Sequence, residues 1–325
     1  MSRTRLEPVP GEPAAVATME TVARGDRRRG TDEVTARDDR GQDTGEGTTD
    51  QRALVIADYH AGIETGLRLE RGVDVPSRGP ERRDRLLELL ERTGTSSLVV
   101  LGDLMHAIGD PGGAERGELE VLFESLPANT TVTLVRGNHD GAIESWLGDG
   151  SGFDPTVGHA ASTTAETPSG TTEDEGDGHI EATIGGTTVR ITDGSGYRLG
   201  GLGCCHGHTW PAPAVLEADL VCLGHDHPCV RLEDEVGGAR VERVWLRGRL
   251  DPAPFLERGG YEGVSWLEAP EAAPRVVVVP AFNNLAGGCW VNRDQSFLTP
   301  FLPDGLADGE AYLLDGTRLG AYESV

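Results

Sequence analysis

Four of the nine histidines fall between His206 and Pro228, and two of them form Gly224-His225-Asp226-His227 directly after the apolar run Leu220 to Leu223. A run that short, entered from Asp219 and left at a glycine, reads as a buried strand ending in a tight loop. At a strand edge, residues two apart point the same way, so His225 and His227 can serve one small centre as a pair of ligands. Carboxylates and histidines recur at other strand ends. Asp58 and His60 follow Leu54 to Ala57, Asp103 follows Leu98 to Leu101, and Asn138, His139 and Asp140 follow Val132 to Arg136. An open α/β sheet builds its sites along this carboxyl edge. Carboxylate oxygen mixed with neutral imidazole suits divalent Mn²⁺, Fe²⁺ or Zn²⁺ better than an all-oxygen Ca²⁺ or Mg²⁺ cage.

Five blocks stand in order: Asp58-Tyr59-His60, Gly102-Asp103, Gly137-Asn138-His139-Asp140, His206, and Gly224-His225-Asp226-His227. Together they resemble the calcineurin-like metallophosphoesterase superfamily over about residues 53 to 228. The resemblance implies a binuclear centre: Asp58, His60 and His227 on one divalent ion, Asn138, His206 and His225 on the other, and Asp103 bridging. It implies a phosphoesterase in which a metal-bridged hydroxide attacks a phosphodiester in line, since two ions lower the pKa of a shared water and clamp the phosphate. His139, one residue past a ligand, is expected to stabilise the transition state or protonate the leaving oxygen, with Asp140 orienting its ring. His106 and His208 are expected beside the ligands or on a polar rim, and His159 and His179 in solvent.

Three stretches narrow the resemblance. Ala57 to Glu64, Gly102-Asp103-Leu104-Met105-His106, and Pro280-Ala281-Phe282-Asn283-Asn284 with Gly287-Gly288 and Val291-Asn292 are similar to the archaeal and bacterial branch that includes the ligase-associated DNA-damage-response endonucleases. In that branch Met105 stands where a basic residue is expected. A DNA or RNA nuclease in repair is the reading this branch implies. Hydrolysis of small nucleotides or phosphomonoesters, and a non-catalytic scaffold of the same fold, are the alternatives. No Gly-x-Ser-x-Gly elbow, Walker loop or dinucleotide fingerprint is present.

The elements that must position these residues alternate along the chain. Glu81 to Arg92 carries Leu86, Leu87, Leu89 and Leu90 on one broad face behind Pro80, which predicts a helix ending at Gly94. As a right-handed crossover it makes the strands before Asp58 and Asp103 parallel. Glu115 to Leu126 reads as a second such helix, and Asp140 to Leu147 as a short one. Ile180 to Ile184 and Thr187 to Ile191 read as a hairpin opening a second sheet, Arg275 to Val279 as a strand, and Phe282 to Asn292 as a loop closing that sheet or the site rim. With the resemblance, the pattern implies an α/β fold of four layers, an α-β-β-α sandwich in which two mixed β-sheets pack face to face with helices outside.

Residues 1–50 show no hydrophobic periodicity and read as a disordered tail, within which Met19 is a candidate start and Arg27-Arg28-Arg29 a run largely neutralised by neighbouring acids. The metallophosphoesterase domain is expected over 51–325, with a low-complexity insertion at about 148–178. The 325 residues carry 54 acidic side chains and 29 basic ones, all arginine, for a net charge of −25. Acidity spread through the chain suggests solvation for high salt and a haloarchaeal source, and it argues against a broad electrostatic grip on nucleic acid. Five cysteines without a Cys-x-x-Cys pair are expected to pack in a reducing cytoplasm. No stretch approaches the length of a membrane span. The expected partner is thus a phosphodiester substrate, nucleic acid included, with no membrane.

Overall fold

The computed structural model describes residues 4–21, 49–109, 112–143, 179–184, 186–293 and 297–325. Its first sheet runs β1-β2-β3-β4-β5-β7-β6, with β1 Thr4–Pro8, β2 Ala15–Thr21, β3 Thr49–Ile56, β4 Ser97–Leu101, β5 Thr131–Val135, β6 His179–Ile184 and β7 Thr187–Thr192. The central strands β3, β4, β5 and β7 are parallel, and β1, β2 and β6 pair antiparallel at the edges. The second sheet runs β15-β14-β12-β13-β10-β9-β8. Its strands are β8 Tyr197–Leu199, β9 Leu202–Cys205, β10 Leu220–Leu223, β11 Cys229–Glu233 (paired to β12), β12 Ala239–Leu250, β13 Arg275–Val278, β14 Leu306–Leu313 and β15 Arg318–Ala321. Here β9, β10 and β13 are parallel and the rest antiparallel.

The period of two along each strand sorts side chains into three apolar layers. From β4, Leu98 and Val100 face outward onto Leu86, Leu89 and Leu90 of helix α2 (Gly79–Thr93) and Leu119, Leu122 and Phe123 of helix α3 (Gly113–Ser125). Val99 and Leu101 face the other way, joining Val55 and Ala57 against Cys204, Cys222, Trp245 and Val277 between the sheets. From β10, Val221 and Leu223 face outward again, onto Phe255 of the helix Ala253–Arg258 and Trp266. Three apolar interfaces separate four layers, the expected α-β-β-α sandwich of two mixed sheets. No helix among the described residues is long and apolar enough to cross a membrane.

Two expectations are corrected. Residues 4–21 are not a disordered tail, because β1 and β2 extend the first sheet with Leu6 and Met19 almost fully buried. Met19 therefore lies inside a strand. The segment is fastened by Arg275, whose guanidinium donates to the Thr4 carbonyl at 2.6 Å, and by Glu12, paired to Arg85. The hairpin of β6 and β7 forms, but β7 pairs parallel to β5 and so belongs to the first sheet. After β5 a 3-10 turn, Asp140–Ala142, opens the stretch where a helix was expected to reach Leu147, and Ile143 is already helical. The remainder of that helix, the insertion at 148–178, His159 and the Arg27-Arg28-Arg29 run lie outside the described residues.

Candidate metal centre

The carboxyl ends of β3, β4, β5, β9 and β10 meet, and each hands over the residues expected of it. Pairing of β3 with β4 continues into the turns beyond them: Asp58 N donates to the Gly102 carbonyl, His60 N to that of Asp103 and Ala61 N to that of Leu104. This continuation lays the Asp58-Tyr59-His60 turn against the Asp103 turn. Two groups of donors that include a carboxylate result, Asp58 with His60 and His227, and Asp103 with His206 and His225, and a third, His60 with His106 and His139, is all imidazole. Within each group the donor atoms lie within 4.8 Å of one another. Asn138 joins the second group, its Oδ1 being 3.1 Å from His206 Nε2. Thus all seven expected ligands are brought to one place.

The backbone at this place is strained. Seven non-glycine residues among the described ones have positive φ, and five of them are Asp58, His60, Asp103, His225 and His227. Such conformations cost on the order of 1–3 kcal/mol each and persist where surrounding structure dictates them. Gly102, also at positive φ, lies so close to His206 that a Cβ would collide with its ring. That glycine is what lets the second sheet's histidine reach the first sheet's carboxylates.

Three of the four candidate ligand histidines are turned by backbone carbonyls. Nδ1 of His60 meets the Met105 carbonyl at 3.3 Å, that of His206 the Leu101 carbonyl at 2.8 Å, and that of His227 the Gly287 carbonyl at 2.6 Å. A carbonyl only accepts, so each Nδ1 carries a proton and each Nε2 is the nitrogen turned inward, the orientation metal-binding imidazoles use. Inward they face carboxylates: His227 Nε2 is 3.1 Å from Asp58 Oδ1, and His206 Nε2 is 3.3 Å from Asp103 Oδ2. Asp58 is fully buried and Asp103 nearly so. Two buried carboxylates with imidazoles for company are a site built for cations, so this donor set fits divalent metal.

The electrostatics follow from that crowding. Burial pushes the Asp58 carboxyl upward, but His227 and His206 outweigh it and leave it below the usual range. Asp103 is likewise held low, with the His206 hydrogen bond opposing its burial. Burial would lower His206, yet Asp103 and Asp58 push it up to about 9. His60 and His225, for which burial wins, fall to about 4.

His139 lies at the centre, its Nε2 3.9 Å from Asp103 Oδ2 and its Nδ1 2.5 Å from the His106 carbonyl. Asp140 does not orient that ring, which corrects the expected pairing. Its two oxygens instead accept from the backbone N–H groups of Met105, at 3.0 Å, and Gly137, at 2.9 Å, holding the β4 and β5 turns together. Burial and the nearby Asp103 push its carboxyl up to about 6. His106 and His208 stand against the rings of His60 and His206, whereas His179 lies at the start of β6 near Glu181. Cys204, Cys205 and Cys222 are buried in the sheet layers and belong to neither donor group, as packing residues should.

A family model described as calcineurin-like phosphoesterase matches residues 51–229. The chain belongs to that family. Among solved structures, a nuclease MPE from Pseudomonas putida aligns over 97% of this calcineurin-like phosphoesterase and 100% of its own chain, at 16% identity and a TM-score of 0.43. A search of curated protein sequences returned no match.

Several parts of the phosphoesterase site carry no local sequence signal. Asn283 donates its amide to the Tyr59 and His60 carbonyls, and Glu115 accepts from His106 N and Ala107 N. Asp226, between the two histidines of its block, accepts from Leu298 N, Thr299 N and the Thr299 hydroxyl. Only the unusual Pro280 to Asn284 stretch offered a hint, and a hint of family rather than of this role.

Proposed function

We propose that this phosphoesterase hydrolyses phosphodiester bonds at a two-ion centre. Asp58, His60 and His227 would hold one divalent ion, Asn138, His206 and His225 the other, and Asp103 both. The observation that carries the reading is the place of Asp103: its Oδ2 lies 3.3 Å from His206 Nε2 and 3.8 Å from His60 Nε2, so a single carboxylate faces both donor groups. The mixture of carboxylate and imidazole favours Mn²⁺, Fe²⁺ or Zn²⁺. When bound, two such ions neutralise a phosphate and supply an activated water for in-line attack.

The chain's own residues do the rest. His139 is fixed by its Nδ1–H to the His106 carbonyl. Protonated at Nε2 as well, it can deliver that proton to the leaving oxygen. Asp140 keeps the Met105 and Gly137 turns in register, so that Asp103 and Asn138 stay opposed. No side-chain nucleophile is required, and no covalent phosphoenzyme is expected.

Nucleic acid is the first diester to try. Support for it comes from the resemblance of the Ala57 to Glu64, Gly102 to His106 and Pro280 to Asn284 stretches to a nuclease branch. With a net charge of −25, contacts to a polyanion would run through the ions more than through basic surface.

The test is hydrolysis of bis(p-nitrophenyl) phosphate by metal-stripped protein in high KCl, with and without Mn²⁺, beside Asp103→Asn. Manganese-dependent turnover that disappears in the variant supports the proposal. Folded protein silent with every divalent ion would refute it.

A further inference from the structure

Four arginines gather at the end of the sandwich away from the metal centre. Arg275 opens β13 beside Leu220, the first residue of β10, whereas candidate ligands follow Leu223 at the other end of that strand. Two adjoining cavities of about 540 and 380 Å³ share Arg249 and Arg275; the larger also takes in Arg198 and the smaller Arg247. Arg249 and Arg275 are direct partners across β12 and β13. Side chains so placed have Cβ atoms about 4.5–5.5 Å apart, where like charges oppose folding. Arg247 stands two residues along β12 on the same face, about 7 Å away. Among the described residues none of these three forms an ion pair. Arg249 donates to the carbonyls of Glu271 and Ala273, Arg275 donates to that of Thr4, and Arg247 lies over the Tyr312 ring. Four acids share the cavity walls, but Glu217 is 4.0 Å from Arg198, Asp219 accepts from the Thr4 hydroxyl, and Glu310 is taken by Arg318 and Tyr312. Asp308 alone is left to answer three guanidiniums, in a chain with 54 acids to place.

We propose that Arg247, Arg249 and Arg275 form a second anion site, which takes a small molecule carrying two or three linked phosphate groups. Guanidinium presents a planar fork of donors that matches phosphate oxygens. An anion seated between Arg249 and Arg275 turns their mutual repulsion into attraction. The cations extend over about 7 Å along β12, so they match a run of negative charge better than a chloride or a compact orthophosphate. Carbonyl contacts already hold Arg249 and Arg275 in place, which lowers the cost of ordering them around a ligand. Cavities of these volumes are of small-molecule size. Because Arg275 reaches Thr4 of β1, a ligand on it also ties the edge of the first sheet to β12 and β13 of the second.

The experiment is calorimetric titration of pyrophosphate into the full chain stripped of metal, so that the candidate centre holds no ions to attract it, with Tm followed in parallel. One pyrophosphate should bind per chain and raise Tm, and orthophosphate should bind about tenfold more weakly. Arg249→Gln and Arg275→Gln should each weaken pyrophosphate about tenfold or more, as loss of a charge-assisted hydrogen bond implies. Both of those arginines also brace backbone carbonyls. Arg247→Gln gives up only a ring contact, so it should keep the ligand-free Tm and still lose affinity several-fold. ADP run beside pyrophosphate separates the two sources of a diphosphate: tighter ADP assigns a nucleotide, tighter pyrophosphate an inorganic ligand. Absence of binding to wild type, unchanged affinity in Arg247→Gln and Arg275→Gln, or orthophosphate bound as tightly as pyrophosphate would each overturn the assignment. So would a single-stranded oligonucleotide held through these arginines where pyrophosphate is not.

Discussion

The side-chain amide of Asn283 donates to the main-chain carbonyl of Tyr59 at 2.9 Å, and the same nitrogen reaches the carbonyl of His60 at 3.1 Å. Asn283 N in turn donates to the Asp58 carbonyl, so three successive carbonyls of one ligand turn end on a single residue from outside the family match. That turn contains two residues at positive φ and needs holding. Asn283→Ala leaves two buried carbonyls without this donor and should cost about 1–3 kcal/mol. It should also release the ion of the Asp58 group before that of the Asp103 group. Urea unfolding and metal analysis check both effects; unchanged stability with two ions retained would contradict the role.

Arg82 ties the first three helices together. Its guanidinium is 3.1 Å from Glu64 in helix α1 (Ile63–Arg71) and 2.6 Å from Glu118 in α3, all three side chains being nearly buried. The same acids accept from Arg78 N and Gly62 N, next to the His60 turn. Arg82→Met would strand two buried acids and should destabilise the protein by about 3–5 kcal/mol. A pH dependence follows. Burial pushes the Glu64 carboxyl up, but the hydrogen bond from Arg82 outweighs it and the net shift is downward. The folded state thus binds fewer protons than the unfolded state, and the contribution is complete above the ordinary glutamate range. It is lost as pH falls through the depressed folded value. Thermal melts across the acid range should fall more steeply for wild type than for Glu64→Gln, and parallel curves would count against this account.

The ligand turns were legible in the sequence because each follows a strand buried on both faces, and such strands are continuous apolar runs. Strands β1 and β2 were not. The edge strand β1 buries only alternate side chains, and the buried run of β2 is short and mostly alanine, Ala15-Val16-Ala17. The part played by Asp140 was equally hidden, since it depends on the backbone N–H of Met105, 35 positions earlier. Spacing showed which residue types would converge. Which carbonyl each histidine would face depended on long-range contacts, as with Gly287 and His227.

Metal should stabilise the fold as well as activate it. Asp58 and Asp103 are buried among imidazoles, and ions binding only the folded centre shift unfolding by mass action, about 2.7 kcal/mol at a hundred times Kd. Titrating Mn²⁺ into stripped protein should raise Tm progressively. Asp103→Asn, which weakens both groups at once, should flatten the titration more than His227→Asn, which touches one. Equal responses would show that Asp103 is not shared.

Salt is the last lever. With 54 acidic residues against 29 arginines and no lysine, the folded chain concentrates repulsion that the unfolded chain can relax. Ordinary screening shortens the Debye length from about 10 Å at 0.1 M to about 3 Å at 1 M, so a purely Coulombic benefit should be largely complete by then. A chain solvated for high salt should go on gaining Tm as KCl rises beyond that range, through salt effects that are not screening. Melts over a KCl series, repeated in a nonionic osmolyte, separate the two. A plateau near 1 M leaves simple charge repulsion as the whole effect, and greater stability in low salt would remove the halophilic reading of the composition.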